Sequence, residues 1–384
     1  MIINYCLKVR SFFLIVVFGI GFGSYPPIAF AQSAYVYFIV DINSKDWIQL
    51  GNLGGSFIYP VDMNDSGQVV GRAGTATGEG HAFITGPNGA GMIDLGTLGG
   101  TSSWAEGIND AGQVAGFSSM TTGGTHPFIT GPNGIGMTDL GTFGGMHNEA
   151  ADINNVGQVV GFSETISGEN HAFITGPNGI GMRDLGTPHD GGNSGGHAIN
   201  DAGQVVGHSY AANGDYYAFI TGPNGIGVTD LDTWDRTHSI AEGINDAGQV
   251  VGVSGERAFI TGPNGVGVTE LGTLGGYWST AYDINDSGQV VGYSYTDSPF
   301  RQHAFVTGPD GEGMIDLNLL VDLPDGITLE HAFAINDKGQ VLVHGFARAI
   351  NPIPEPETYA MLLAGLGLVG LMVRGKKMNA GAFS

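Results

Sequence analysis

Cysteine is almost missing from this chain. Its one residue, Cys6, stands ahead of the first apolar run. No disulfide can form within the chain, so stability has to come from packing and hydrogen bonding. A lipoprotein cysteine would follow that apolar run, so lipidation at Cys6 is excluded.

Positive charge is nearly as scarce. Lys and Arg total 13 against 36 Asp and Glu, a formal net charge of −23. Binding a phosphate backbone needs clustered cations, which excludes nucleic acid as an expected partner. Local catalytic signatures are absent too, with no nucleophile elbow, phosphate-binding loop or zinc-ligand spacing in the sequence. No catalytic residue, metal or cofactor is therefore expected. Calcium is weighed only because Asp62-Met63-Asn64-Asp65, Asp152-Ile153-Asn154 and Asp283-Ile284-Asn285-Asp286 place alternate oxygen side chains near a glycine turn.

What the chain has in excess is glycine, 68 of 384 residues, against a usual share of roughly 7%. It sits in a repeat. GQVVG or a near variant begins at Gly67, Gly112, Gly157, Gly203, Gly248, Gly288 and Gly339, a spacing that stays close to 45 residues. A period of this size signals a repeat architecture. Within one unit, AFIT and GMIDL flank Gly86-Pro87-Asn88-Gly89, where Pro87 fits the first central position of a turn and Gly89 a left-handed one. AEGIN and QVAGFS flank the turn Asn109-Asp110-Ala111-Gly112. Each unit is then two hairpins.

The strand cores Ala82-Phe83-Ile84 and Val69-Val70 are short apolar runs, so both faces of each small sheet should be buried. Four-stranded sheets of about 40 to 50 residues stacked radially make a β-propeller. The rival β-solenoid has shorter coils and lacks two hairpin turns per repeat. Hairpins of the AFIT type begin at Tyr37, Ala82, Pro127, Ala172, Ala218, Ala258 and Ala304, and the other type turns at Asn64, Asn109, Asn154, Asn200, Asn245, Asn285 and Asn336. The chain opens on one type and closes on the other. Pairing these ends predicts an all-β, seven-bladed propeller over residues 35–349 with no exposed edge, and a monomer.

These motifs resemble the HAF repeats of extracellular bacterial proteins, named for the His-Ala-Phe found here at His81, His171 and His303. The resemblance runs from Tyr35 to Phe346. It implies a secreted repeat protein and brings no catalytic residues. Tyr217 and Arg257 replace the histidine in two units, which argues against a ring of required histidines.

The ends read as addresses. Lys8 and Arg10, the apolar stretch 12–22 and Ala29-Phe30-Ala31 predict a signal helix in a signal peptide, residues 1–31. At the other end, 350–384, a proline-rich stretch precedes the apolar residues 359–373 and then Arg374, Lys376 and Lys377. As a short hydrophobic helix that stretch would span about 22 Å, less than a hydrocarbon core of roughly 30 Å, which predicts transient rather than permanent membrane insertion. Pro354-Glu355-Pro356, the short span and the basic cluster together resemble the PEP-CTERM sorting signal of Gram-negative bacteria. The resemblance implies processing by an exosortase and a place at the cell surface or in the extracellular matrix.

In such a propeller the Asn-Asp and Pro-Asn-Gly turns share one face and the variable links the other. Binding residues concentrate in loops on a rigid scaffold. Trp104, Trp234, Tyr277 and Trp278, with Phe57 and Tyr59, are expected in crossing loops of the variable face, where they either plug the gap between blades or stack on sugar rings of an exopolysaccharide. A rival reading is a glycan hydrolase or lyase that uses acids of that face such as Asp190, Asp215, Asp235 or Glu330.

Overall fold

A computed structural model describes residues 34–348, except 236, 299 and 300. The expected signal helix and C-terminal hydrophobic helix lie outside the described residues. Among the described residues no helix is long and apolar enough to cross a membrane.

The repeats fold as seven four-stranded antiparallel sheets. In blade 1 the strands run Gly54–Met63, Val69–Thr75, Gly80–Ile84 and Ile93–Asp94 from the axis outward. Blades 2 to 6 repeat this order, with inner strands Ser103–Ile108, Gly144–Ile153, Ser194–Ile199, Ser239–Ile244 and Gly275–Ile284. Blade 7 is composite. Its inner strand Ile327–Ile335 and the next, Gln340–Ala347, come from the C-terminal side, while Ala34–Asp41 and Trp47–Gln49 come from the N-terminal side. Ala34 faces Ala347 and Asp41 faces Gln340 without a break in register. The predicted seven-fold closure is thus present, and the inner strands pack against one another all the way round.

Each blade buries the phenylalanine of its AFIT strand, from Phe38 and Phe83 to Phe305, and packs it between its own sheet and a neighbour. Both faces of these short strands are covered, which is why their apolar residues run together instead of alternating. The glycine inside GQVVG has a steric reason. A Cβ on Gly161 would lie 2.0 Å from the Glu149 carbonyl on the paired inner strand. A register shift between Ala150 and Asp152 marks a bulge in that strand, and such bulges re-aim side chains.

The Pro-Asn-Gly turns differ from expectation in one respect. Asn88 as well as Gly89 is left-handed, at φ 53° and 68°. Asn tolerates this conformation better than other residues with a Cβ. The HAF histidine also acquires a role: His81 Nδ1 lies 2.9 Å from the Asp94 carboxylate of the adjacent strand, and His126–Asp139, His171–Asp184 and His303–Asp316 repeat the pair. Where Arg257 replaces the histidine, Glu270 replaces the aspartate, at 3.1 Å. The pair, not the histidine, is what most blades keep.

Candidate functional site

Two sets of residues reach the axis. On the face of the tight turns, seven inner strands end at the Asn-Asp turns and enclose a cavity of about 200 Å³. Around it each asparagine Nδ2 donates to the asparagine carbonyl of the next blade, from Asn64 to Asn109 at 3.0 Å through Asn285 to Asn336 at 3.2 Å. Asn336 returns to Asn64 and completes the circle. The same amide nitrogens also reach Gln68 and its equivalents, while the Asn oxygens accept from the backbone of those glutamines. Buried amides satisfied this fully explain why Asn and Gln recur in every unit.

A second circle lies just outside it. The Asp65 backbone N–H donates to Asp110 Oδ1 at 3.0 Å, Asp110 to Asn155, and so on until Asp337 donates back to Asp65 at 2.9 Å. Within these circles stand Asp62, Asp152 and Asp283. Each accepts from the next residue's N–H and from an isoleucine N–H of the following blade: Ile108, Ile199 and Ile335. Burial, with neighbouring acids adding to it, pushes Asp62 up to about 6 and Asp283 to about 7, and raises Asp152 well above the usual carboxylate range. The oxygens that resembled calcium loops thus join blade to blade. Among the described residues no group of three or more His, Cys, Asp or Glu is placed to hold a metal ion.

Further along the axis toward the variable face, the bulged residue of each inner strand is Val61, Glu106, Ala151, His197, Glu242, Tyr282 and Phe333 in chain order. Each is partly accessible, and the seven positions carry six different residue types, with Glu in blades 2 and 5. Glu106 in blade 2 and Glu149 in blade 3 make no hydrogen bond among the described residues. Burial, then Glu149 and Asp62, push the Glu106 carboxyl up to about 8, and burial raises Glu149 as well. In blades 4 and 5, Glu242 Oε2 lies 2.9 Å from His197 Nδ1, and His197 Nε2 lies 2.9 Å from His208 Nδ1. Burial disfavours the Glu242 charge, but the contact with His197 outweighs it and the carboxyl is lowered. Burial and His197 depress His208 to about 4.

Blades 6 and 7 supply an aromatic wall. Tyr293 stacks on His331 at 4.5 Å and 10°, Tyr282 lies 6.1 Å from Phe333, and His344 touches His331 and Tyr35. Burial holds His331 and His344 near 4, so this wall is neutral at physiological pH. Inner blades 2 and 3 lie across the ring from blade 6. Carboxyls therefore face rings across the channel.

Of the four aromatic residues Trp104, Trp234, Tyr277 and Trp278 expected in crossing loops, three fall elsewhere. Trp104, Tyr277 and Trp278 belong to inner strands, because the extended conformation continues through what the sequence reads as linker. Trp104 is held by Phe117, stacked at 4.8 Å, and by the Arg72 guanidinium 4.0 Å over its ring. Trp278 donates to Thr280. Tyr277 is 52% exposed and stacks on Tyr295, and Trp234, 45% exposed, is the one of the four in a crossing loop. These residues do not converge on one site. Asp190, Asp215 and Asp235 lie in separate loops and Glu330 on the inner strand of blade 7. Asp215 and Asp235 accept from their own loops, at Asn213 and Thr237. Sequence reasoning missed Glu106, Glu149, His197, Glu242 and Tyr282, although their signal was present as non-repetition inside a repeated strand.

Solved structures resemble the chain in fold alone. A prolyl endopeptidase matches 78% of this chain and 49% of its own at 11% identity, TM-score 0.50. Virginiamycin B lyase from Staphylococcus aureus matches 82% and 99% at 10% identity, TM-score 0.49. TolB from Acinetobacter baumannii matches 62% of each chain at 12% identity, TM-score 0.42, so the chain spans less than two thirds of that protein and about half of the endopeptidase. No curated protein matches the chain. The family profile of the PEP-CTERM protein-sorting motif matches residues 352–377, and the chain thereby carries a signal for export and envelope or surface association.

Proposed function

We propose that this is an exported, non-catalytic propeller that an exosortase sorts to the cell surface or matrix, where it binds a saccharide of the envelope or exopolysaccharide. The observation that carries the reading is the sorting motif at 352–377, directly after a ring that is already complete at residue 347. The resemblance to extracellular HAF repeats supports the same destination. An unrepeated channel with aromatic and carboxyl walls supports binding, since aromatic faces and fixed polar groups are what recognise sugars.

Fractionation of an exosortase-bearing host tests the delivery. The full chain should appear at the surface as a product shortened at its C-terminus, and replacing Pro354, Glu355 and Pro356 by alanine should retain it uncut in the inner membrane fraction. Identical size and location for the two would refute sorting.

One observation favours a glycan hydrolase instead. Glu106, protonated at neutral pH, and Glu149 face the same channel from adjacent blades, as an acid and a base would. Release of reducing ends from a polysaccharide, abolished by Glu149→Gln, would establish that reading.

A further inference from the structure

The channel has a charge preference that its aromatic lining alone does not explain. Glu106 and Glu149 project from adjacent inner strands without a hydrogen bond among the described residues. Arg72 lies over the rings of Trp104 and Phe57, with its Nε buried and without a hydrogen-bond partner among the described residues. Across the ring, Tyr282, Tyr293 and Phe333 form an aromatic cluster, with Tyr293 stacked on His331 and Tyr282 6.1 Å from Phe333. Burial keeps the Glu106 carboxyl protonated at neutral pH, and a cation seated between the two carboxyls stabilises their ionised form. Aromatic faces attract the same cation.

We infer that the axial channel is a binding site for an amine-bearing saccharide, with the ammonium group between Glu106 and Glu149 and the sugar ring against Tyr282, Tyr293 and Phe333. The inference rests on the saccharide reading above and narrows it to amino sugars with a free amine. An N-acetylated sugar keeps the ring contacts and loses the charge. A uronate brings a further negative charge beside the two carboxyls, in a chain of net charge −23.

Calorimetric titration of the purified full chain with β-linked glucosamine oligomers, their N-acetylated counterparts and uronate oligomers of equal length tests this. The free amine should bind about tenfold or more tightly than the acetylated form, the difference expected of one charge-assisted contact, and the uronate should not bind. Joint Glu106→Gln and Glu149→Gln substitution should remove the preference while the melting temperature stays the same or rises. Phe333→Ala should weaken both saccharides alike. Equal binding of amine and acetylated forms, tighter uronate binding, or an intact preference in the double variant would overturn the inference and leave the saccharide reading standing. Failure of all three oligomers to bind would overturn both.

Discussion

Asn336 and Asn64 stand 272 residues apart in sequence, and the side-chain amide of the first donates to the backbone carbonyl of the second at 3.1 Å. One residue on, the Asp337 N–H reaches Asp65 Oδ1 at 2.9 Å. Side chains thus repeat at the axis the closure that Ala34–Asp41 and Gln340–Ala347 make in the sheet. An open array loses stability repeat by repeat; a ring joined twice should unfold as a unit.

Asn200→Ala measures the inner circle. It leaves the Gln204 N–H and the Asn245 carbonyl without their side-chain partner. Unsatisfied buried groups cost about 1–3 kcal/mol each, so denaturant unfolding should show a loss of about 2–4 kcal/mol. A change under about 0.5 kcal/mol, usual for a surface site, would mean that the circle is not a source of stability.

Removing residues 34–49 tests closure. The strand Gln340–Ala347 would become a bare edge flanked by buried valines, and such edges pair with other chains. Size-exclusion chromatography should show oligomers or aggregate in place of a monomer. A monomer with unchanged melting temperature would contradict the role given to the N-terminal hairpin.

The HAF pair should be nearly interchangeable. His171→Arg with Asp184→Glu copies the Arg257–Glu270 pair of blade 5. Exposed pairs are worth about 0–1 kcal/mol, so a double-mutant cycle should give a coupling below about 1 kcal/mol, with the fold intact. A larger coupling would give the histidine a role beyond pairing.

Stability should fall as pH rises above neutrality. Glu106 titrates near 8 in the fold against an ordinary 4.5, and Asp283 near 7 against 3.8. Across those windows the native state holds protons the unfolded chain has released, so rising pH disfavours folding. His208, His331 and His344 act oppositely. Lowered from 6.5 to about 4, they penalise the native state as pH falls through that range. Acids and histidines therefore roughly cancel between pH 4.5 and 6 and only the acids act from 6.5 to 8. The melting temperature should be near-constant in the first interval and drop in the second, with Glu106→Gln recovering about 1–2 kcal/mol at pH 8 after allowance for channel water. A rise in stability from pH 6.5 to 8 would contradict this.

Much of the fold was legible in the sequence, for a definite reason. A repeat states each turn and each strand seven times, and the unlike ends, YFIVD and GQVLVHG, announce a shared blade. The channel was not legible in the same way. Glu106 lies between Ala105 and Gly107, in a strand whose bulge breaks the simple alternation of inward and outward residues. Loops drew attention because loops vary, yet the residues that vary most usefully are on the inner strands. The cavity of the Asn-Asp turns lies on the face that repetition made look inert.

Hydrogen exchange with and without a bound glucosamine oligomer addresses the central claim, that recognition occurs in the unrepeated channel. Binding should slow exchange in Ser103–Ile108, Gly144–Ile153, Gly275–Ile284 and Ile327–Ile335 and leave the outer strands of the blades unchanged. Protection confined to the Asn-Asp turns or to the blade edges would contradict it.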